Sequence, residues 1–231
     1  MNTFDVFLFD LDGTLLNLGD IGPYADMVLE ETLINLKTPS IPDKHERRQF
    51  WGSGDNYIKI LNKWEVPQAQ KFWEFYDKVD FKHRKIMCNQ NQISMFDEVE
   101  NVLKKIYYHK DDKKMAIVTN TADYVVDFIL KKFNISSYFQ EIFSMGSKND
   151  QKFAKPSPSG ILSILKKFEY DQNIIRALMI GDSISDITAA KKANISACLI
   201  NRNKFRSTKE ISKWEFQPDY IIERLDEILK L

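Results

Sequence analysis

The 231-residue chain is 43% hydrophobic and 13% aromatic, enough to bury a sizeable core in one domain or two. Lysine plus arginine and aspartate plus glutamate both number 33, so no global field favours nucleic acid or a basic partner, and an anionic ligand must be held by local groups. Cys88 and Cys198 lack a C-x-x-C or Cys/His neighbour at metal spacing, and no apolar run approaches the ~20 residues of a membrane span. With no basic leader before the first apolar run, the reading is a soluble cytoplasmic protein with no nucleic-acid or membrane partner.

Val6-Phe7-Leu8-Phe9 is the first of several short apolar runs that read as buried parallel strands. It leads into Asp10-Leu11-Asp12-Gly13-Thr14, which places two carboxylates one residue apart where a strand meets a turn. On one pleat face inside a core they would cost several kcal/mol per unpaired ion. At the carboxyl end of a parallel strand they reach the crevice where open α/β sheets bind ligands.

Helical spacing follows in Tyr24, Met27 and Val28, in Tyr57, Ile58, Leu61 and Trp64, and in Phe72, Trp73, Tyr76 and Val79. These stretches read as a small helical domain, residues 17–90, inserted into the first crossover. Phe50 to Asn56 is its glycine-rich break, where Gly52 and Gly54 free the backbone for close approach to a ligand. Arg47 and Arg48 before it are candidates for a substrate carboxylate or second phosphate, against the plainer reading of two exposed arginines on an amphipathic helix. His83 and Arg84 are weighed in the same way, and Trp51, Trp64 and Trp73 read as core of the insertion.

Further strands are expected at Met115 to Val118, Ile142 to Met145, Ala177 to Ile180, Ala197 to Ile200 and, more weakly, Tyr220 to Ile222, with helix-length patterns between most of them. Alternation of strand and helix gives an α/β class with a parallel sheet and right-handed crossovers. Thr119-Asn120-Thr121 ends one strand and is expected to open a helix capped by Thr121, its backbone N–H groups forming an anion site. Lys155-Pro156 lies in the loop after the next strand, and Gly181-Asp182-Ser183-Ile184-Ser185-Asp186 sets one acid at a strand end and another four residues on. The basic, polar stretch from Asn201 to Lys213 reads as a solvated loop rather than a nucleic-acid patch.

The four motifs, in this order and at these strand ends, resemble those of the haloacid dehalogenase (HAD) superfamily, in its phosphoglycolate phosphatase-like and β-phosphoglucomutase-like group with a first-type helical cap. The resemblance implies a Rossmann-like parallel sheet core over residues 1–16 and 91–231 and a cap over 17–90. It implies Asp10 as nucleophile on phosphorus, Asp12 as general acid and then base, and Lys155 on both the nucleophile and the phosphate. Thr119 and Asn120 would bind the phosphoryl group. Magnesium would be held by the Asp10 carboxylate, the Asp12 main-chain carbonyl and Asp182, with Asp186 holding the waters around it. The implied activity is magnesium-dependent hydrolysis of a small phosphate monoester by a monomer or homodimer. A sugar phosphomutase and, more distantly, a non-catalytic phosphate-binding module are the alternatives; dehalogenation is disfavoured because it needs neither Asp12 nor the paired acids.

Overall fold

A computed structural model describes residues 4–51, 53, 56–108, 113–146, 151–171 and 174–231. The chain divides into two compact units, one of Met1–Asn17 with Met95–Leu231 and the other of Leu18–Ser94. The first unit opens with β1 (Val6–Phe9) and the short β2 (Leu16–Asn17). The second holds α1 (Ile21–Asn35), α2 (Lys44–Trp51), α3 (Tyr57–Lys63) and α4 (Phe72–Asn89). β3 (Ser94–Met95), paired with β2, leads back into α5 (Val99–Tyr107), β4 (Lys114–Ala122), α6 (Asp123–Lys132) and β5 (Glu141–Met145). The chain ends with α7 (Ser159–Lys167), β6 (Ala177–Gly181), α8 (Ile184–Lys192), β7 (Ser196–Ile200), α9 (Thr208–Ile211) and β8 (Tyr220–Ile222).

Six strands form one sheet in the order β5-β4-β1-β6-β7-β8, every neighbouring pair parallel, which makes the protein α/β as expected. β1 lies at the centre and is buried at all its residues, so its sequence is continuously apolar rather than alternating. Val6 and Leu8 share a core with Ile161 and Leu165 of α7 and Ile187 of α8. Phe7 and Phe9 point to the other face by strand alternation, and their rings stack 6.4 Å apart. No helix among the described residues is long and apolar enough to cross a membrane.

In the second unit, α2 starts at a side-chain cap: Asp43 Oδ1 accepts the Glu46 N–H at 2.9 Å. Its Phe50 reaches a core of Leu29, Leu33, Leu61, Trp64 and Phe72. Trp64 is buried as expected and Trp73 packs against Phe50 and Phe72, whereas Trp51 is 42% exposed, its ring edge-on to Phe50 and Tyr76.

Both candidate readings of Arg47, ligand contact and solvated helix face, are corrected here. Arg47 is 6% exposed, its Nε on Asp26 Oδ1 at 2.8 Å, its Nη2 on Glu30 at 3.1 Å and its Nη1 on the Pro42 carbonyl at 2.7 Å. The α1 carboxylates engage the guanidinium and hold α1 against α2. Arg84 is likewise buried against Asp80, which also accepts the Tyr24 hydroxyl at 2.5 Å, and His83 meets Glu31. Arg48 is exposed, and Gly52 and Gly54 lie outside the described residues.

Replacing Arg47 with Ala is therefore expected to lower stability by roughly 2–3 kcal/mol, because it removes the hydrogen-bonded cation that Asp26 and Glu30 share. Urea unfolding would register this as a lower midpoint; an unchanged midpoint would contradict the structural role.

Candidate active site

Register brings the acids together. Val6 to Phe9 pair with Ala177 to Ile180, and the Asp10 N–H continues the ladder onto the Ile180 carbonyl at 2.9 Å, so Asp10 and Gly181-Asp182 leave the sheet side by side. Gly13 turns the chain at φ +77°, where a side chain would be strained. A Cβ there would lie 2.3 Å from Asp182 Oδ2, and one on Gly181 would lie 2.2 Å from Asp186 Cγ. The glycines of the two motifs are the clearance into which the two carboxylates fit.

Lys155 bridges the result. Its Nζ lies 2.6 Å from Asp10 Oδ1 and 2.5 Å from Asp186 Oδ1, and all three side chains are buried. The second Asp186 oxygen accepts the Ser183 N–H at 3.0 Å and its hydroxyl at 2.5 Å, so both oxygens of that carboxylate are engaged within the protein. Asp10, Asp182 and Asp186 each offer an oxygen within 4.8 Å of the others. Burial raises the Asp10 carboxyl well above the usual range; Lys155 opposes the shift, and Asp186 and Asp182 add to it. Asp182 is pushed up to about 7, by burial first and Asp186 second, with Arg206 pulling the other way. For Lys155 burial opposes the charge, but Asp10 and Asp186 outweigh it and hold the ammonium above the ordinary lysine range. Three carboxylates converge, two of them on one ammonium, a donor set suited to a hard cation with oxygen ligands.

Residues 7–200 match the model of the haloacid dehalogenase-like hydrolase family. The chain belongs to that family. It is 24% identical over 229 residues to the pyrophosphatase PpaX of Listeria monocytogenes serotype 4a (strain HCC23), covering 97% of this chain and 94% of that protein. Among solved structures, a predicted phosphoglycolate phosphatase from Haemophilus somnus 129PT superposes with a TM-score of 0.67 at 22% identity, covering 100% of this chain and 98% of the other. CbbY from Rhodobacter sphaeroides, in complex with phosphate, gives 0.72 at 17% identity, covering 97% and 96%. At these identities the two structures bear on the fold, and they share the Rossmann-like architecture.

The second motif departs from expectation for this HAD hydrolase. No helix opens at Thr121: β4 runs on to Ala122, which pairs with Met145 after an irregular register between Val118 and Ala122. Two β-branched threonines favour the extended backbone, and such irregularities re-aim side chains beside active sites. α6 starts at Asp123, whose own carboxylate accepts the Tyr124 N–H at 2.7 Å, so the helix end meets an acid rather than an open anion site. Thr121 instead donates its hydroxyl to Asp12 Oδ2 at 2.8 Å and its N–H to Thr119 Oγ1 at 3.2 Å. The Asn120 side chain is spent on the third motif, donating to the Lys155 carbonyl at 2.9 Å and accepting the Lys155 N–H at 2.8 Å.

The basic stretch after β7 is also not a plain solvated loop. Arg206 donates to the Asp182 carbonyl at 2.7 Å, and Asn201 holds the Arg206 backbone through both its N–H and its carbonyl. Arg202 lies 3.4 Å above the Phe96 ring and bonds Glu98 at 2.7 Å, the Thr14 carbonyl at 2.9 Å and the Gly13 carbonyl at 3.3 Å. Position was the available sign: both arginines follow the carboxyl end of a parallel strand.

Asp182 predicts a pH dependence. A carboxyl raised from 3.8 to about 7 binds more protons in the folded than the unfolded state between those values, so its contribution to stability falls as pH rises through that window and is level above it. In metal-free protein, the melting-temperature advantage of Asp182→Asn over the native chain should grow from pH 4 to pH 7 and then flatten. A difference that shrinks with rising pH would contradict the raised value.

Proposed function

We propose that the protein is a magnesium-dependent phosphatase that hydrolyses a small-molecule phosphate monoester through an aspartyl phosphate on Asp10. The observation that carries this reading is the buried bridge from Asp10 through Lys155 to Asp186, with Asp182 beside it. A nucleophilic carboxylate facing a phosphate dianion meets roughly 4 kcal/mol of repulsion per charge pair at ~4 Å and an effective dielectric of about 20. Lys155 lies on the nucleophile and can meet a phosphoryl oxygen with the same ammonium.

The acid cluster fits a divalent cation by its chemistry: three oxygen donors, two of them with carboxyls raised by burial and mutual repulsion. Asp10, the Asp12 main-chain carbonyl and Asp182 would hold magnesium. Asp186, both of whose oxygens are already engaged, would steady Lys155 and the surrounding waters. When bound, the ion supplies positive charge that offsets the repulsion between phosphate and carboxylates.

Asp10 then displaces the leaving alcohol, and Asp12 gives that alcohol a proton and later takes one from the attacking water. Thr119, 2% exposed, would donate its hydroxyl to a phosphoryl oxygen, and the Asn120 N–H would donate beside it. Residues 17–90 are assigned the role of a cap that selects the leaving group. The name of the PpaX relatives adds inorganic pyrophosphate to the esters worth testing.

Phosphate release from a panel of sugar phosphates, phosphoglycolate, nucleoside monophosphates and pyrophosphate tests the reading. Release is expected with magnesium, should stop in EDTA, and should fall by at least a thousandfold in Asp10→Asn while the fold is kept. Equal turnover by Asp10→Asn free of contaminating phosphatase would remove the nucleophile. Phosphoryl migration on a hexose phosphate without release of phosphate would favour the mutase.

A further inference from the structure

Ser183 stands between β6 and α8 with two donors turned on one oxygen. Its backbone is extended, and its amide N–H and its hydroxyl donate to Asp186 Oδ2 at 3.0 Å and 2.5 Å. A serine hydroxyl has one proton and a carboxylate has none to return, so the Ser183 proton belongs to Asp186. In the 2.7 Å contact between the Ser183 and Ser185 hydroxyls the donor is therefore Ser185. The hydrogen bonds run one way, from Ser185 through Ser183 to Asp186.

The other oxygen of Asp186, Oδ1, receives Lys155 Nζ at 2.5 Å, and the same ammonium reaches Asp10 Oδ1 at 2.6 Å. An ammonium carries three protons. The two acids take two of them, and among the described residues the third has no acceptor. Tetrahedral nitrogen leaves that third N–H one direction once the first two are held. Asp186 holds its part only while it is itself held, because an aspartate carboxyl turns about its last torsion with only a broad preference. Without the Ser183 hydroxyl, Oδ2 would rest on the Ser183 amide N–H alone.

We propose that Ser183 is a positioning residue: by anchoring Asp186 through Oδ2 it aims the third Lys155 N–H at the phosphoryl group. The proposal rests on the phosphatase reading above and adds to it the residue that orients the ammonium. Ser183 also precedes the first turn of α8, so its plainer role is that of a helix cap. A cap alone would change stability and leave the ammonium where it is.

Two measurements separate these roles. In metal-free protein at low temperature, a proton–nitrogen correlation spectrum shows a lysine ammonium only where hydrogen bonds slow its exchange with water, and the Lys155 signal is the one lost in Lys155→Met. Ser183→Ala is expected to broaden that signal beyond detection. Ser183→Gly, with a residue well accepted before a helix, should do the same, and Ser183→Thr, which keeps the hydroxyl, should retain it. Calorimetric titration with inorganic phosphate in the presence of magnesium should show affinity about fivefold weaker in the Ala and Gly variants and within about twofold of native in Thr. An ammonium signal and a phosphate affinity unchanged in the Ala and Gly variants, with only the melting temperature lowered, would overturn the positioning role and leave Ser183 a helix cap. A native protein with no Lys155 signal would overturn the fixed ammonium itself. Native protein that neither binds phosphate nor releases it from any ester would overturn the phosphatase reading, while the ammonium signal would still decide whether Ser183 holds Lys155.

Discussion

The placement of one ammonium decides most of what surrounds it. Asp10, Asp182 and Asp186 converge at the carboxyl ends of β1 and β6, where burial and mutual repulsion oppose the charged forms of Asp10 and Asp182. Lys155, reaching in from the loop before α7, touches two of the three acids. A buried cluster of like charges is tolerated only when its partners are fixed, and the neighbouring chain segments are spent on fixing them.

The fixing is done largely through main-chain atoms. Arg202 and Arg206 use guanidinium donors on the carbonyls of Gly13, Thr14 and Asp182. These carbonyls belong to the two turns that bear the acids, so the arginines tie down the backbone, and the Arg206 charge also favours the ionised form of Asp182. The planar stack of Arg202 on Phe96 and its bond to buried Glu98 set its direction, much as Asn201 and the nearby Trp214 ring set that of Arg206.

Strands, their burial and the parallel sheet were legible because apolar runs of strand length admit few alternatives between helical patterns. The acids were legible too, since a carboxylate after a buried strand has no structural excuse. What escaped was whatever depended on partners distant in sequence. Arg47 reads as a surface residue of α2 until Asp26 and Glu30 of α1 are placed against it. Thr121 reads as a helix cap because a threonine before a helix usually is one; only the pairing of Ala122 with Met145 keeps the chain extended and turns the hydroxyl to Asp12. Arg202 and Arg206 were hidden among other cations, where composition carries no information about which ones point inward.

Asn120 grips Lys155 by the peptide groups alone, one bond to its N–H and one to its carbonyl. The position of that loop is thus specified independently of the side chain it presents. Shortening or neutralising the lysine would leave its backbone seated and open a gap of defined size beside Asp10, a vacancy that a small diffusible amine has the shape and charge to fill.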